Sequence, residues 1–282
     1  MEEIQVQGAS VPALGLGTWQ LTGRACRETV ATALEMGYRH VDTAQAYGNE
    51  RAVGRGIAAA DVDRDDLFLV TKLDVRNRTP ERVRRSTRKS LERLGTDYLD
   101  LLLIHQPNVP LVASLAETLG AMNDLVDDGL VRHVGVSNFP RSMLRRARET
   151  SSAPILTDQV QYHPYWDQRN LLTYCRIHDV LLTAYSPLAR GGVLEDPVLV
   201  TIGNRYDKTP AQVALRWLVQ QEDVATIPKA SSRDHLAENL AVFDFELTDA
   251  EMARIRNPNR LKTGYHFLRS QLPLCGGTES NC

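Results

Sequence analysis

Two rhythms of apolar residues alternate along this chain almost without a break. Eight short apolar runs occupy 13–17, 39–42, 67–72, 98–105, 133–137, 155–161, 181–185 and 225–228. Most are too short and too continuously apolar for half-exposed antiparallel strands, and they fit parallel strands buried on both faces. Between them, apolar residues recur at spacings of three and four over 26–36, 50–59, 80–94, 115–127, 141–149, 168–178, 210–220 and 232–240, the pattern of helices with one buried face. Thr209-Pro210-Ala211-Gln212 combines a capping box with proline at the first helical position, and Thr248-Asp249-Ala250-Glu251 opens an extra helix through Ile255. Gly37, Gly95 and Gly129 follow helical stretches, where a left-handed C-cap is expected.

Eight strand–helix units with no break in composition predict one closed (β/α)8 barrel, a single domain over 1–282. The rival is a doubly wound open sheet, which needs a GxGxxG turn after the first strand; Gly15-Leu16-Gly17-Thr18-Trp19 lacks the third glycine. Residues 3–11 alternate enough for a small hairpin capping the closed end of the barrel. Residues 258–282 are turn-rich and read as a C-terminal flap or tail.

The composition, 43% hydrophobic and 24% charged, is that of a soluble globular protein. A net charge of −2 gives no electrostatic reason to expect nucleic acid or an anionic membrane as partner. The Arg-rich stretch 81–95 has helical apolar spacing at Val83, Leu91 and Leu94, so it reads as a solvated helix face. The four cysteines form no CxxC or zinc spacing: Cys26 and Cys175 lie in helical patterns, and Cys275 and Cys282 in the tail are free to pair with each other. The acidic start lacks the apolar core of a signal peptide, and no run approaches the roughly 20 apolar residues of a membrane span. A cytoplasmic, monomeric or weakly associating protein is expected.

The chemistry gathers where strands end, which in a barrel is the functional mouth. Read in order, those ends are Thr18-Trp19, Asp42, Lys72, His105, Ser137-Asn138, Gln159, Tyr185-Ser186 and Lys229. Asp42, Lys72 and His105 close three successive apolar runs, and Tyr47 follows Asp42 closely. An acid, a phenol, an amine and an imidazole so placed suit one proton-transfer device. The ammonium favours the phenolate, and the carboxylate keeps the ammonium charged. No HExxH or HxH spacing points to a metal, and no GxSxG to a serine hydrolase. A glycosidase needs two facing carboxylates; Asp42 has a companion only in Asp158, which reads as a surface or capping residue.

The segments GYRHVDTAQAYGNE, LFLVTK, LLLIHQP, GVSNF, QVQYHPY, AYSPL and IPKASS together make the chain similar to the aldo-keto reductase superfamily over about residues 10–257. Its local character resembles the short prokaryotic members related to 2,5-diketogluconate reductases. The resemblance implies NAD(P)H-dependent reduction of a small-molecule aldehyde or ketone. Tyr47 would be the general acid, Lys72 would lower its pKa, Asp42 would hold Lys72, and His105 would orient the carbonyl. Ser137, Asn138 and Gln159 would hold the nicotinamide carboxamide and Tyr185 would stack beneath the ring. Ser186 and Leu188 would contact the pyrophosphate. Lys229, Ser231 and Ser232 would face the ribose and any 2′-phosphate, with Glu238 and Asn239 near the adenine. Trp19 and Gln106 would line the substrate pocket with Tyr47 and His105.

Two departures qualify that pattern. Where the family usually has arginine six positions after the lysine of IPK, this chain has His235. Arginine is permanently charged and bidentate, whereas histidine is largely neutral above pH 6.5, so NADPH selectivity is expected to weaken and NADH to be usable. Gln106 replaces the tryptophan that many relatives carry after the histidine, which widens the pocket and adds an amide. The stretch after AYSPL is short, leaving little material for a clamp over the pyrophosphate, and Tyr265 and Phe267 in the tail are candidates to close the mouth. Two other functions stay open: a non-catalytic nicotinamide-binding redox sensor, and a dehydrogenase of a hydroxy-steroid or sugar alcohol.

Overall fold

The computed structural model describes residues 2–107 and 113–256. A hairpin, β1 (Glu3–Val6) and β2 (Ala9–Pro12), opens the chain. Eight parallel strands follow: β3 (Leu16–Gly17), β4 (His40–Asp42), β5 (Phe68–Leu73), β6 (Leu99–Ile104), β7 (Val131–Ser137), β8 (Ile155–Gln161), β9 (Leu181–Tyr185) and β10 (Val224–Thr226). They pair in sequence order from β3 to β10, and the ends meet. Thr226 donates to the Ala13 carbonyl at 2.8 Å, and Gly15 donates back to Thr226 at 2.8 Å. The sheet is therefore the expected (β/α)8 barrel, with its eight strands on the eight apolar runs.

Closure is tight enough to require glycine. A Cβ on Gly17 would lie 2.6 Å from the Ile227 carbonyl oxygen, so no side chain fits where β3 meets the end of β10. At the opposite end, Val6, Ala9 and Val11 of the hairpin pack with Phe68, Val70, Leu101, Leu103, Leu156, Leu181 and Ala225 from the strands. The hairpin thus plugs the bottom of the barrel as its alternation implied.

The helices are α1 (Gly23–Glu35), α2 (Glu50–Ile57), α3 (Pro80–Leu94), α4 (Leu115–Asp127), α5 (Arg141–Thr150), α6 (Arg169–Ile177), α7 (Pro197–Tyr206), α8 (Pro210–Val219), α9 (Arg233–Leu240) and α10 (Asp249–Ile255). Thr209 and Thr248 complete the reciprocal capping boxes that open α8 and α10. Ser114 and Glu117 form a third box, at α4. Val83, Leu91 and Leu94 are buried in α3 while its arginines face out. Cys26 and Cys175 are buried and free, and burial raises both thiols, Cys26 to about 11. The tail containing Tyr265, Phe267, Cys275 and Cys282 lies outside the described residues.

Helix α7 was not anticipated. Its sequence, PVLVTIGNRY, is rich in β-branched residues and lacks a clear helical stripe. Its start is nevertheless written in Asp196-Pro197: the aspartate carboxylate accepts the Val198 and Leu199 N–H groups, and proline sits at the first turn. No helix among the described residues is long and apolar enough to cross a membrane.

Candidate active site

Lys72, the penultimate residue of β5, is 1% exposed. Its ammonium lies 2.5 Å from Asp42 Oδ1, donates to the Thr43 carbonyl at 3.0 Å, and reaches Tyr47 Oη at 3.3 Å. Burial works against that charge, but Asp42 and Tyr47 outweigh it and hold the lysine above its ordinary value. The imidazole of His105 meets the Tyr47 ring edge-to-face, with centroids 5.8 Å apart. Asp42, Tyr47, Lys72 and His105 thus converge on one spot.

Tyr47 is not on a strand, and its position is built by its neighbours. It ends a single 3-10 turn, Gln45–Tyr47, which Gly48 terminates in a left-handed conformation (φ 68°). Asn49, 4% exposed, staples this turn to the loop carrying Trp19. It accepts from Thr43 Oγ1 at 2.8 Å and donates to the Thr18 and Leu21 carbonyls at 2.8 and 3.0 Å. On the other side, Gln45 accepts from the Asp74 N–H and the Asn77 amide, both at 2.9 Å. A phenol on a short turn is thereby fixed from two directions.

The titration of the cluster corrects one expectation. Burial raises the Tyr47 phenol above its ordinary 10.0, and the Lys72 ammonium only partly offsets this. The amine does pull the phenol down as expected, but desolvation outweighs it. His105 is pushed down to about 4, by burial first and by Lys72 second. The free cleft therefore holds a protonated phenol and a neutral imidazole at neutral pH.

A cleft of about 370 Å³ opens on this cluster, lined by Trp19, Tyr47, His105, Gln106, Asn138 and Tyr185 among others. It shares Trp19, Ser186, Pro187, Arg190 and Lys229 with a groove of about 460 Å³ that runs past Leu188 and Ser231 to His235, Glu238 and Asn239. Eleven of the twelve expected cofactor residues border this continuous depression. Ser232 does not: it is the N-cap of α9 and its hydroxyl accepts the His235 N–H at 3.2 Å.

Several polar groups expected to face a ligand are already engaged. Ser137 donates to the Gln159 carbonyl at 2.8 Å. Asn138, held at φ 63°, donates to the His105 carbonyl at 3.1 Å and to Ser137 Oγ at 3.0 Å, and accepts from Tyr185 Oη at 2.8 Å. Gln159 donates to Asp42 Oδ2 at 2.8 Å. These side chains form one network joining the Asp42–Lys72–Tyr47–His105 cluster to the groove. Gln106 stands at the rim, its carbonyl accepting from the buried Arg78 at 2.8 Å.

Asp158 is not a surface residue. It is fully buried behind Ser137 and Gln159, accepts the Phe139 N–H at 3.4 Å, and leaves Oδ2 without a hydrogen bond among the described residues. Burial raises its carboxyl well above the usual range. Arg190 was also missed, although a lone cation in a glycine-rich segment just after a strand end is where such a residue should be sought.

The Aldo/keto reductase family model matches residues 13–260. The chain belongs to the aldo/keto reductase family. An aldo-keto reductase of Mycobacterium avium is 41% identical over 268 residues, spanning 95% of this chain and 92% of that protein. A crystal structure described as a candidate 2,5-diketo-D-gluconic acid reductase B superposes with a TM-score of 0.89 at 45% identity, covering 92% of this chain and 93% of the other. The Bombyx mori aldo-keto reductase, solved in complex with NADP, gives 0.84 at 34% identity, covering 90% and 92%. This aldo-keto reductase is therefore an oxidoreductase of a family that reduces carbonyl groups with NAD(P)H.

Proposed function

We propose that this aldo-keto reductase reduces an aldehyde or ketone in the cleft beside Tyr47, with the phenol as general acid. The observation that carries the reading is the convergence of Tyr47, Lys72, Asp42 and His105 on one side of a continuous depression that runs on past Ser186 and Lys229 to His235, Glu238 and Asn239. The residues fit NAD(P)H. Tyr185 offers an aromatic face at the cluster end, while Lys229, Ser231 and His235 offer donors for ribose and phosphate at the far end. A reduced nicotinamide supplies the hydride when bound.

The chain's own residues handle the oxygen. His105, neutral at working pH, and Tyr47 Oη hydrogen-bond the carbonyl. As negative charge grows on that oxygen, the Tyr47 proton moves to it, and Lys72 at 3.3 Å stabilises the phenolate that remains. Asp42 keeps Lys72 charged, and Gln159 keeps Asp42 in place. NADPH is the expected cofactor, with NADH accepted because His235 replaces a fixed charge.

The test follows reduced-nicotinamide absorbance with an aldehyde, a diketone and a keto ester, using each cofactor. Tyr47→Phe is expected to lower kcat/KM about 10²–10⁴-fold, the usual contribution of a positioned acid, with cofactor affinity retained. Turnover by that variant close to the parent rate would remove Tyr47 from the role of acid.

A further inference from the structure

Arg78, in the loop that joins β5 to α3, is 3% exposed. A guanidinium so deeply buried ordinarily has a carboxylate partner. This one has none among the described residues, and burial alone acts on its charge. Asp74, the acid of its own loop, is taken by Arg76 through both carboxylate oxygens. What Arg78 holds instead is backbone and a hydroxyl. Its Nη1 donates to the Gln106 carbonyl at 2.8 Å, and its Nε to Thr118 Oγ1 at 3.3 Å. The buried Thr118 donates back to the Arg78 carbonyl at 2.9 Å, which clasps the loop to the first turn of α4.

The Gln106 carbonyl matters because of where the sheet stops. β6 pairs with β7 as far as Ile104, opposite Val136. The next two carbonyls, of His105 and Gln106, are held by side chains: Asn138 donates to the first at 3.1 Å and Arg78 to the second at 2.8 Å. A peptide unit is planar, so holding its carbonyl holds the whole unit. The ladder sets the chain up to Ile104, Asn138 sets the unit after His105, and Arg78 sets the one after that. The imidazole therefore leaves the backbone in a fixed direction. One donor follows β7 and the other follows β5, the two neighbours of β6, so the brace comes from both flanks. A donor that is charged bonds a carbonyl about twice as strongly as a neutral one, which gives the buried cation a use.

We propose that Arg78 is a positioning residue for carbonyl reduction, fixing the backbone beyond β6 so that His105 faces Tyr47 across the cleft. The geometry it maintains is the edge-to-face approach of the two rings, with centroids 5.8 Å apart. Arg78 itself lines neither the cleft nor the groove, so it acts through His105 and touches neither substrate nor cofactor. This rests on the reading of carbonyl reduction given above and adds a residue to its machinery.

The experiment measures reduction of an aromatic aldehyde at saturating NADPH by the parent enzyme, Arg78→Met, His105→Ala and the double variant. The NADPH Kd is followed by fluorescence and the His105 ring titration by NMR. Arg78→Met is expected to lower kcat/KM about ten- to a hundredfold, the effect of misplacing a reacting group by about 1 Å, with the NADPH Kd unchanged. In the His105→Ala background the same substitution is expected to cost little, because the group it positions is gone. The His105 midpoint, about 4 in the parent, is expected to move up toward 6.5 in Arg78→Met as the ring leaves its half-buried place. Equal losses in the parent and His105→Ala backgrounds overturn the proposal, since a general loosening of the fold would give that result. An unmoved His105 midpoint overturns it as well. Should Arg78→Met not fold, Arg78→Lys keeps the charge without the planar fork and carries the same comparisons. Failure of the parent enzyme to reduce the aldehyde overturns the carbonyl-reduction reading itself, and the NMR comparison still decides whether Arg78 positions His105.

Discussion

Gln159 donates to Asp42 Oδ2 at 2.8 Å while Lys72 takes Oδ1, so one buried carboxylate joins β8 to β4 and β5. A residue expected to grip the cofactor is thereby also a brace for the buried Lys72–Asp42 pair. Gln159→Leu should therefore weaken both functions. We expect kcat/KM to fall about tenfold or more, since a hydrogen bond to a charged group is worth about 1.5–3 kcal/mol, with cofactor affinity falling alongside. Loss of cofactor affinity with kcat unchanged would mean the brace does nothing.

Asp42 and Lys72 are 1% exposed each, so neither charge can be abandoned cheaply. Removing one partner of a buried pair costs about 3–5 kcal/mol because the other charge is left without compensation. Asp42→Asn and Lys72→Met should each lower the urea midpoint strongly, and the double variant should lose much less than the combined single losses. Additive losses in urea titrations would show that the two groups do not stabilise each other.

The His105 ring offers a direct check of the cleft's electrostatics. Its folded value, about 4, lies below the unfolded 6.5. The folded protein therefore binds fewer protons between those values, and the contribution to stability is complete above pH 6.5 and lost as pH falls through about 4. In NMR titrations of the free enzyme, the His105 ring signals should stay constant from about pH 6 to 8, as expected for a neutral, half-buried imidazole. A midpoint near 6.5 would contradict the neutral role assigned to it.

Much of this was legible in the sequence because strand ends are both a fold signal and a site signal. Asp42, Lys72 and His105 terminate apolar runs, so finding the barrel also found them. Tyr47 needed more, since its place depends on Gln45, Asn49 and Gly48, none of which belongs to an apolar pattern. Three features escaped for physical reasons. Helix α7 hides its periodicity under β-branched residues. Asp158 falls in an apolar run, but the burial of an Oδ2 with no partner among the described residues appears only in three dimensions. Ser232 caps α9, a local demand that a reading of strand ends does not register.

His235 borders the far end of the groove, exposed, with Lys229 and Ser231 lining the same stretch. If a 2′-phosphate rests there, a permanently charged, bidentate guanidinium should hold it better than an imidazole does. His235→Arg is expected to raise the NADPH-to-NADH ratio of kcat/KM about tenfold or more, given about 1.5–3 kcal/mol for a charge-assisted contact. Equal ratios in the two proteins would defeat the assignment of this end to the phosphate.

Asp158 offers a last test, of stability more than of turnover. Burial raises its carboxyl well above the usual range, so the folded protein holds that proton to higher pH than the unfolded chain does. The sign follows: its stabilising contribution is complete below pH 3.8 and diminishes as pH rises through the folded value. Asparagine has nearly the same shape, can accept the Phe139 N–H, and has no proton to lose. Asp158→Asn should therefore melt higher than the parent at pH 8, with the gain shrinking toward pH 4. Because Phe139 follows Asn138, whose amide links His105, Ser137 and Tyr185, the same variant should also keep the cleft's network intact at alkaline pH. A melting temperature for Asp158→Asn below the parent at pH 8 would mean that the carboxylate is charged in the folded state and has a partner after all.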